Sequence, residues 1–180
     1  MRRLWVIALS GLLGMPAAQA APTRDPATAQ LLFADARRAA AAGKKQEAVR
    51  LCTGALRADR RHLGARHLRG VLHAQLGQWR KAEKDLSKLE WKRARDAVLL
   101  RLLAMTRVRQ GKWMWAARTY QKLLRLTPEA GDLWLAFGYA LYKVGDKGEA
   151  KKALAKAQGL GPKRVANAAR VMQAILLHQA

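Results

Sequence analysis

A glycine and an alanine five residues apart recur along the chain at a fixed interval of 34 residues. The four pairs are Gly43 and Ala48, Gly77 and Ala82, Gly111 and Ala116, and Gly145 and Ala150. A fixed period of this length is typical of a solenoid built from helix–turn–helix units. Glycine allows a sharp turn between two helices, and alanine allows the second helix to pass close to the first. The period therefore predicts an all-α stack of helix pairs, and no alternating apolar–polar run indicates a sheet.

The residues around these pairs resemble the tetratricopeptide repeat (TPR) family. The match is fullest in the last unit, where the family order is followed by Trp134, Phe137, Gly138, Leu141, Gly145, Ala150, Leu154, Ala157 and Pro162. The resemblance implies a right-handed α-solenoid of four repeats, with bounds at 29–62, 63–96, 97–130 and 131–164. Residues 21–28 would form a short lead-in before the first repeat.

Residues 165–180 are predicted to form a C-terminal capping helix. Their apolar spacing favours a buried face made of Val165, Ala168, Met172, Ile175 and Gln179. Val171, Leu176 and Leu177 widen the apolar surface beyond that face. They either pack on the last repeat or form a weak dimer or partner contact, so the sequence leaves the oligomeric state open.

The second unit departs from the family pattern. Arg66, Arg69 and His73 stand where packed apolar residues are usual, and polar Arg107 replaces the usual Tyr of the third unit. Since leucines at 68, 72 and 76 form an alternative apolar stripe, we expect that stripe to be buried and the arginine stems to extend outwards.

The first 20 residues have the pattern of a cleavable signal peptide. A short basic region is followed by a predominantly apolar run of 12 residues, 4–15, and by the small-x-small sequence Ala18-Gln19-Ala20. We therefore expect cleavage after Ala20 and a periplasmic or secreted protein. Cys52 is the only cysteine, which excludes an internal disulfide and a multi-cysteine zinc site. It is either a buried apolar residue or an exposed thiol that is reactive or forms an intermolecular disulfide.

The chain is strongly basic, with 35 Lys and Arg against 12 Asp and Glu and a net charge of +23. The charge favours acidic partners such as protein, nucleic acid, anionic lipid or polysaccharide. It is spread over the repeats at between +4 and +6 each, and no charged arm is present. This distribution disfavours nucleic acid and leaves a peripheral contact with an anionic envelope surface open.

In TPR proteins the first helix of each pair lines a concave groove. The resemblance assigns to this groove Phe33, Arg37, His67, Val71, Arg101, Met105, Arg109, Leu135, Tyr139, Tyr142 and Lys143. These aromatic, aliphatic and basic side chains suit an acidic, partly apolar protein or peptide segment, because arginine recognises carboxylates through paired hydrogen bonds.

Motifs for catalysis are missing from the sequence. It has no phosphate-binding glycine loop, no histidine pair four residues apart, and a single serine after residue 20, Ser87. We therefore predict no catalytic residues, no metal and no cofactor. The predicted function is a non-catalytic periplasmic scaffold that binds an acidic partner within an envelope, secretion or pilus assembly. Two alternatives stay open: a polyanion-binding protein that uses its basic surface, and an accessory subunit of an envelope enzyme complex.

Overall fold

The computed structural model describes residues 24–178, which contain nine helices and no strand. The helices are α1 (Pro26–Ala41), α2 (Lys45–Ala58), α3 (Leu63–Gln75), α4 (Trp79–Glu90), α5 (Ala97–Val108), α6 (Trp113–Leu124), α7 (Gly131–Val144), α8 (Lys147–Leu160) and α9 (Lys163–His178). Each helix packs against the next one along the chain. This arrangement confirms the predicted all-α solenoid.

The periodic glycines and alanines have the roles that the sequence indicates. All four glycines have positive φ values between +69° and +93°, a region that side chains with a Cβ rarely adopt. Each therefore turns the chain between the two helices of a pair. The four alanines are completely buried, so the second helix of each pair can approach its neighbours closely.

Two helices begin earlier than the predicted repeat bounds. Helix α1 starts at Pro26, inside the predicted lead-in, because the Asp25 side chain caps it by accepting a hydrogen bond from the Thr28 N–H at 3.0 Å. Helix α9 starts at Lys163. The repeat bounds stay a prediction. The predicted signal peptide, 1–20, and its cleavage site lie outside the described residues.

The polar residues of the second unit are mostly buried, and the expectation that Arg66 and Arg69 extend into solvent is wrong. Asp85 of α4 is 3% exposed and faces α3. It accepts hydrogen bonds from Nε and Nη2 of Arg69 at 2.7 and 2.8 Å, and Arg66 lies 3.9 Å away. The buried carboxylate holds the Arg69 guanidinium inward, while Arg66 donates a hydrogen bond from Nη2 to the carbonyl of Arg60. The leucine stripe could not indicate either contact.

Arg107 forms a similar network in the third unit. It is 6% exposed on α5, and its guanidinium lies 3.5 Å from a Glu83 oxygen and 3.1 Å from a Glu90 oxygen, both on α4. It also donates a hydrogen bond to the Thr119 hydroxyl of α6. One arginine thus links three consecutive helices.

The buried face of α9 matches the predicted one only in part, since Val165 and Met172 pack against the core of the last repeat. Ala166, Ala169 and Leu176 are buried, whereas Ala168 and Ile175 are exposed. Val171 and Leu177 are 60% and 65% exposed, so they do not pack on the last repeat. Gln179 lies outside the described residues. The face is rotated because α9 contacts both α7 and α8, a constraint that helical spacing alone does not contain.

Cys52 is completely buried on α2. Burial raises the pKa of its thiol to about 11, because the surroundings disfavour the charged thiolate. Of the two sequence interpretations, the structure supports the buried apolar residue.

Candidate partner-binding groove

The residues that the sequence assigns to the groove all lie on the first helices of the pairs, or directly after one of them. Phe33 and Arg37 are on α1, His67 and Val71 on α3, Arg101 and Met105 on α5, and Leu135, Tyr139, Tyr142 and Lys143 on α7; Arg109 follows α5 directly. None of them is fully buried. Their joint assignment to one groove stays a prediction, but their local contacts separate them into distinct roles.

At the end of the groove formed by α1 and α3, two of the assigned side chains are partly buried within the protein. The ring of Phe33 lies 4.8 Å from the His62 ring and packs against a core cluster that includes Ala65. The Nε2 atom of His67 is buried without a hydrogen-bond partner. Burial, and then the nearby charge of Arg93, lower the pKa of His67, so this side chain is neutral at pH 7. Arg37 is exposed and is the cationic group at this end.

Arg101 already has an acidic partner within the protein. Its Nη1 atom lies 2.7 Å from Oδ2 of Asp132, at the start of the neighbouring α7. Both side chains are about half exposed. A carboxylate ligand would therefore have to compete with Asp132 for this guanidinium. Arg101 should bind such a ligand more weakly than the sequence predicts.

Three aromatic rings and one lysine come together where the end of α7 meets the start of α6. The Nζ atom of Lys143 lies 5.6 Å from the ring centroid of Tyr139 and 5.9 Å from those of Trp113 and Tyr142. Trp113 and Tyr139 meet edge to face, with centroids 5.5 Å apart. We call these four residues the aromatic–lysine cluster. It places an exposed ammonium group within cation–π distance of three rings.

A related contact occurs one period earlier. The guanidinium of Arg109 lies 5.6 Å from the Trp79 ring centroid. Arg109 and Lys143 are 34 residues apart, as are Trp79 and Trp113. Neither tryptophan is among the residues that the sequence assigns to the groove. The shared interval was the signal that could have found them.

A basic recess of about 550 Å³ adjoins the Arg109 contact. It lies at the turn between α3 and α4, and its lining combines an aromatic ring with several cationic side chains. The lining residues are Gly77, Gln78, Trp79, Arg80, Lys81, Arg109, Gln110 and Lys112. The recess extends the cationic and aromatic character of the groove to the edge of the solenoid.

Residues 24–178 contain neither a candidate metal site nor a membrane-spanning helix. No group of three or more His, Cys, Asp or Glu side chains in this part of the chain could hold a metal ion. None of the nine helices is both long and apolar enough to cross a membrane.

Solved structures with the same fold are numerous, although no protein-family model and no curated protein sequence matches the chain. YrrB, described as a TPR protein with an unusual peptide-binding site, superimposes with a TM-score of 0.69 over 79% of this chain and 74% of its own, at 18% identity. The fold is the TPR solenoid. MamA from Desulfovibrio magneticus RS-1 gives a TM-score of 0.66 over 76% and 77% of the two chains, also at 18% identity. TTC0263, a thermophilic TPR protein of Thermus thermophilus, gives 0.51 over 84% and 82%, again at 18% identity.

Proposed function

We propose that this protein is a non-catalytic scaffold of the bacterial periplasm that binds an acidic protein or peptide segment along the groove of its TPR solenoid. The observation that carries the proposal is the aromatic–lysine cluster, in which Lys143 lies over three aromatic rings. The peptide-binding site of YrrB, on the same fold, supports a binding role. The pattern of residues 1–20 supports export, with an envelope, secretion or pilus assembly as the setting.

The cluster favours a ligand that is both acidic and partly apolar. The ammonium of Lys143 lies near three rings that cannot neutralise its charge. The cation–π contacts favour this side-chain position, which lowers the conformational cost of binding a carboxylate there. The partly exposed faces of Tyr139 and Tyr142 can meanwhile pack against apolar atoms beside that carboxylate. The Arg109–Trp79 contact offers a second cationic position one repeat away, so an extended segment could engage both.

Site-specific photo-crosslinking in the source cells tests this proposal. A photoreactive phenylalanine analogue replaces Met105, a groove residue that is 41% exposed, and in the matched control it replaces Met114, which is 48% exposed on α6. We expect the Met105 position to yield an adduct with an acidic protein that the Met114 position does not yield. The adducts are identified by mass spectrometry.

A second pair of variants connects the adduct to the cluster. Lys143→Ala should weaken binding of the identified segment roughly tenfold, because it removes the only ammonium of the cluster. Lys151→Ala removes an exposed lysine of α8, outside the groove, and should leave the affinity within about twofold. Equal effects of both variants, together with a steep loss of binding in salt, would contradict groove binding and favour the polyanion alternative. Equal adducts at Met105 and Met114 would also refute the proposal.

A further inference from the structure

The loops that join one helix pair to the next all lie at one edge of the solenoid. The N–H of Asp25, which precedes α1, donates to the carbonyl of Ala58 at the end of α2, with a distance of 3.0 Å. Gly131, the first residue of α7, lies directly against Gly161 after α8. Starts of first helices therefore meet ends of second helices. We call this edge the loop edge and define it as residues 57–62, 91–96, 125–130 and 159–164, which recur every 34 residues.

The loop edge carries a large excess of positive charge. It holds nine Lys and Arg against three acidic residues, and eight of the nine bases are exposed. Two of the acids are already engaged, since Asp59 is paired with Arg24 and Asp96 with Arg93. The opposite edge, formed by the turns at 42–47, 76–81, 110–115 and 144–149, holds only six bases against three acids.

Helix energetics account for only some of these charges. Cations are favourable near helix C-termini, which explains Arg57 in the last turn of α2. However, Lys163 and Arg164 occupy the first turn of α9, where the helix dipole disfavours positive charge. Lys92 and Arg95 lie outside any helix. Binding to an anionic ligand outside the chain would account for these four charges.

Large apolar side chains are exposed among the cations of the same edge. Trp91 is 74% exposed, with Lys92 positioned 5.0 Å from its ring centroid, and Leu126 and Leu160 are 37% and 42% exposed. Val98, at the adjoining start of α5, is 72% exposed. Leu126 and Leu160 are one period apart, so these groups recur along the edge. Tryptophan and leucine beside Lys and Arg is the combination found where proteins lie on a membrane surface.

We propose that the loop edge docks on an anionic lipid surface, without crossing it. Trp91, Leu126 and Leu160 enter the headgroup region, and the exposed Lys and Arg contact lipid phosphates. A bilayer fits better than the other candidates, because a soluble polyanion gains nothing from exposed leucines and a second copy of this chain would bring two strongly positive edges together. This surface contact is independent of groove binding.

Vesicle co-sedimentation tests the proposal on the protein as the cells process it. We expect binding to phosphatidylcholine vesicles that contain about 30 mol% phosphatidylglycerol, and at least roughly tenfold weaker binding to phosphatidylcholine alone. Trp91→Ala should lower the partition coefficient roughly tenfold, because the ring supplies the largest apolar area at the edge. Trp115→Ala is the matched control, since Trp115 is 53% exposed on α6, at the opposite edge, and should change partitioning by less than about twofold.

Charge variants and a soluble competitor complete the test. Lys92→Gln and Arg95→Gln should each weaken binding to the anionic vesicles roughly fivefold, as expected for a cation near such a surface. The side chains of Trp91, Lys92 and Arg95 are exposed, so thermal unfolding of these three variants, followed by circular dichroism, should be unchanged. The Trp115 ring lies over Arg107 and Arg118, so the same measurement must show that Trp115→Ala remains folded at the assay temperature. The proposal is overturned if Trp91→Ala and Trp115→Ala act alike, if the vesicles are bound without preference for anionic lipid, or if binding of soluble polyphosphate depends equally on Trp91. Lys143→Ala should leave vesicle binding intact, which separates this result from any failure of the groove proposal.

Discussion

Removal of the buried carboxylate of Asp85 should destabilise the protein more than the loss of any exposed ion pair. The side chain of Asp85 is 5% exposed and that of Arg69 is 20% exposed. Two hydrogen bonds, at 2.7 and 2.8 Å, connect them. In Asp85→Ala the guanidinium keeps only its bond to the Thr53 hydroxyl and becomes a buried cation without a counter-charge. Breaking a buried pair in this way costs about 3–5 kcal/mol, and the residual exposure of Arg69 puts the expected value at about 3 kcal/mol.

Urea unfolding followed by circular dichroism at 222 nm measures this cost. For a chain of this size, a loss of about 3 kcal/mol lowers the thermal midpoint by roughly 6–12 °C. Asp35→Ala breaks the exposed Arg38–Asp35 pair of α1 and should cost less than about 0.5 kcal/mol. The double variant Arg69→Met, Asp85→Leu should recover most of the loss, because an apolar pair leaves no uncompensated charge. If Asp85→Ala costs less than about 1 kcal/mol, or no more than Asp35→Ala, the buried pair does not stabilise α3 against α4 as argued.

Three further predictions concern titratable groups. Burial lowers the pKa of His73 despite its hydrogen bond to Gln78. As the pH falls, the unfolded chain is therefore protonated at this residue at a higher pH than the folded protein. The free energy of unfolding should then fall as the pH drops below about 6.5. Burial opposes ionisation of Glu90, but hydrogen bonds and charges from Lys122 and Arg107 outweigh it and lower the pKa, so a second fall should begin below about pH 4.5. Urea titrations at pH 7.5, 5.5 and 3.5 test both steps, and an unchanged upper step in His73→Gln would contradict the first. Cys52, whose pKa is about 11 because of burial, should not react with a thiol reagent at pH 8 until the chain unfolds; fast labelling of the folded protein would show that α2 opens readily.

The family pattern predicts on which helices the groove residues lie, but it does not predict the contacts that those residues make. The pattern placed all the assigned residues on, or directly after, the first helices of the pairs. It could not indicate that Arg101 is paired with Asp132, because that contact joins two repeats whose relative packing sets the distance. Similarly, it did not assign Trp113 to the groove, although the packing of α6 against α7 brings the Trp113 ring to 5.9 Å from Nζ of Lys143.

The sequence by itself determined the helical class, the positions of the turns and the small residues between helices. These features depend on local backbone preferences and on a strict 34-residue period, and both can be read directly from the amino-acid sequence. Only the tertiary structure decided which polar residues are buried, which face of α9 is covered, and which charges stand together at the loop edge. Arg69, Arg107 and Val171 show the reason: their surroundings come from residues on other helices, and the balance between burial, pairing and exposure depends on distances that only packing creates.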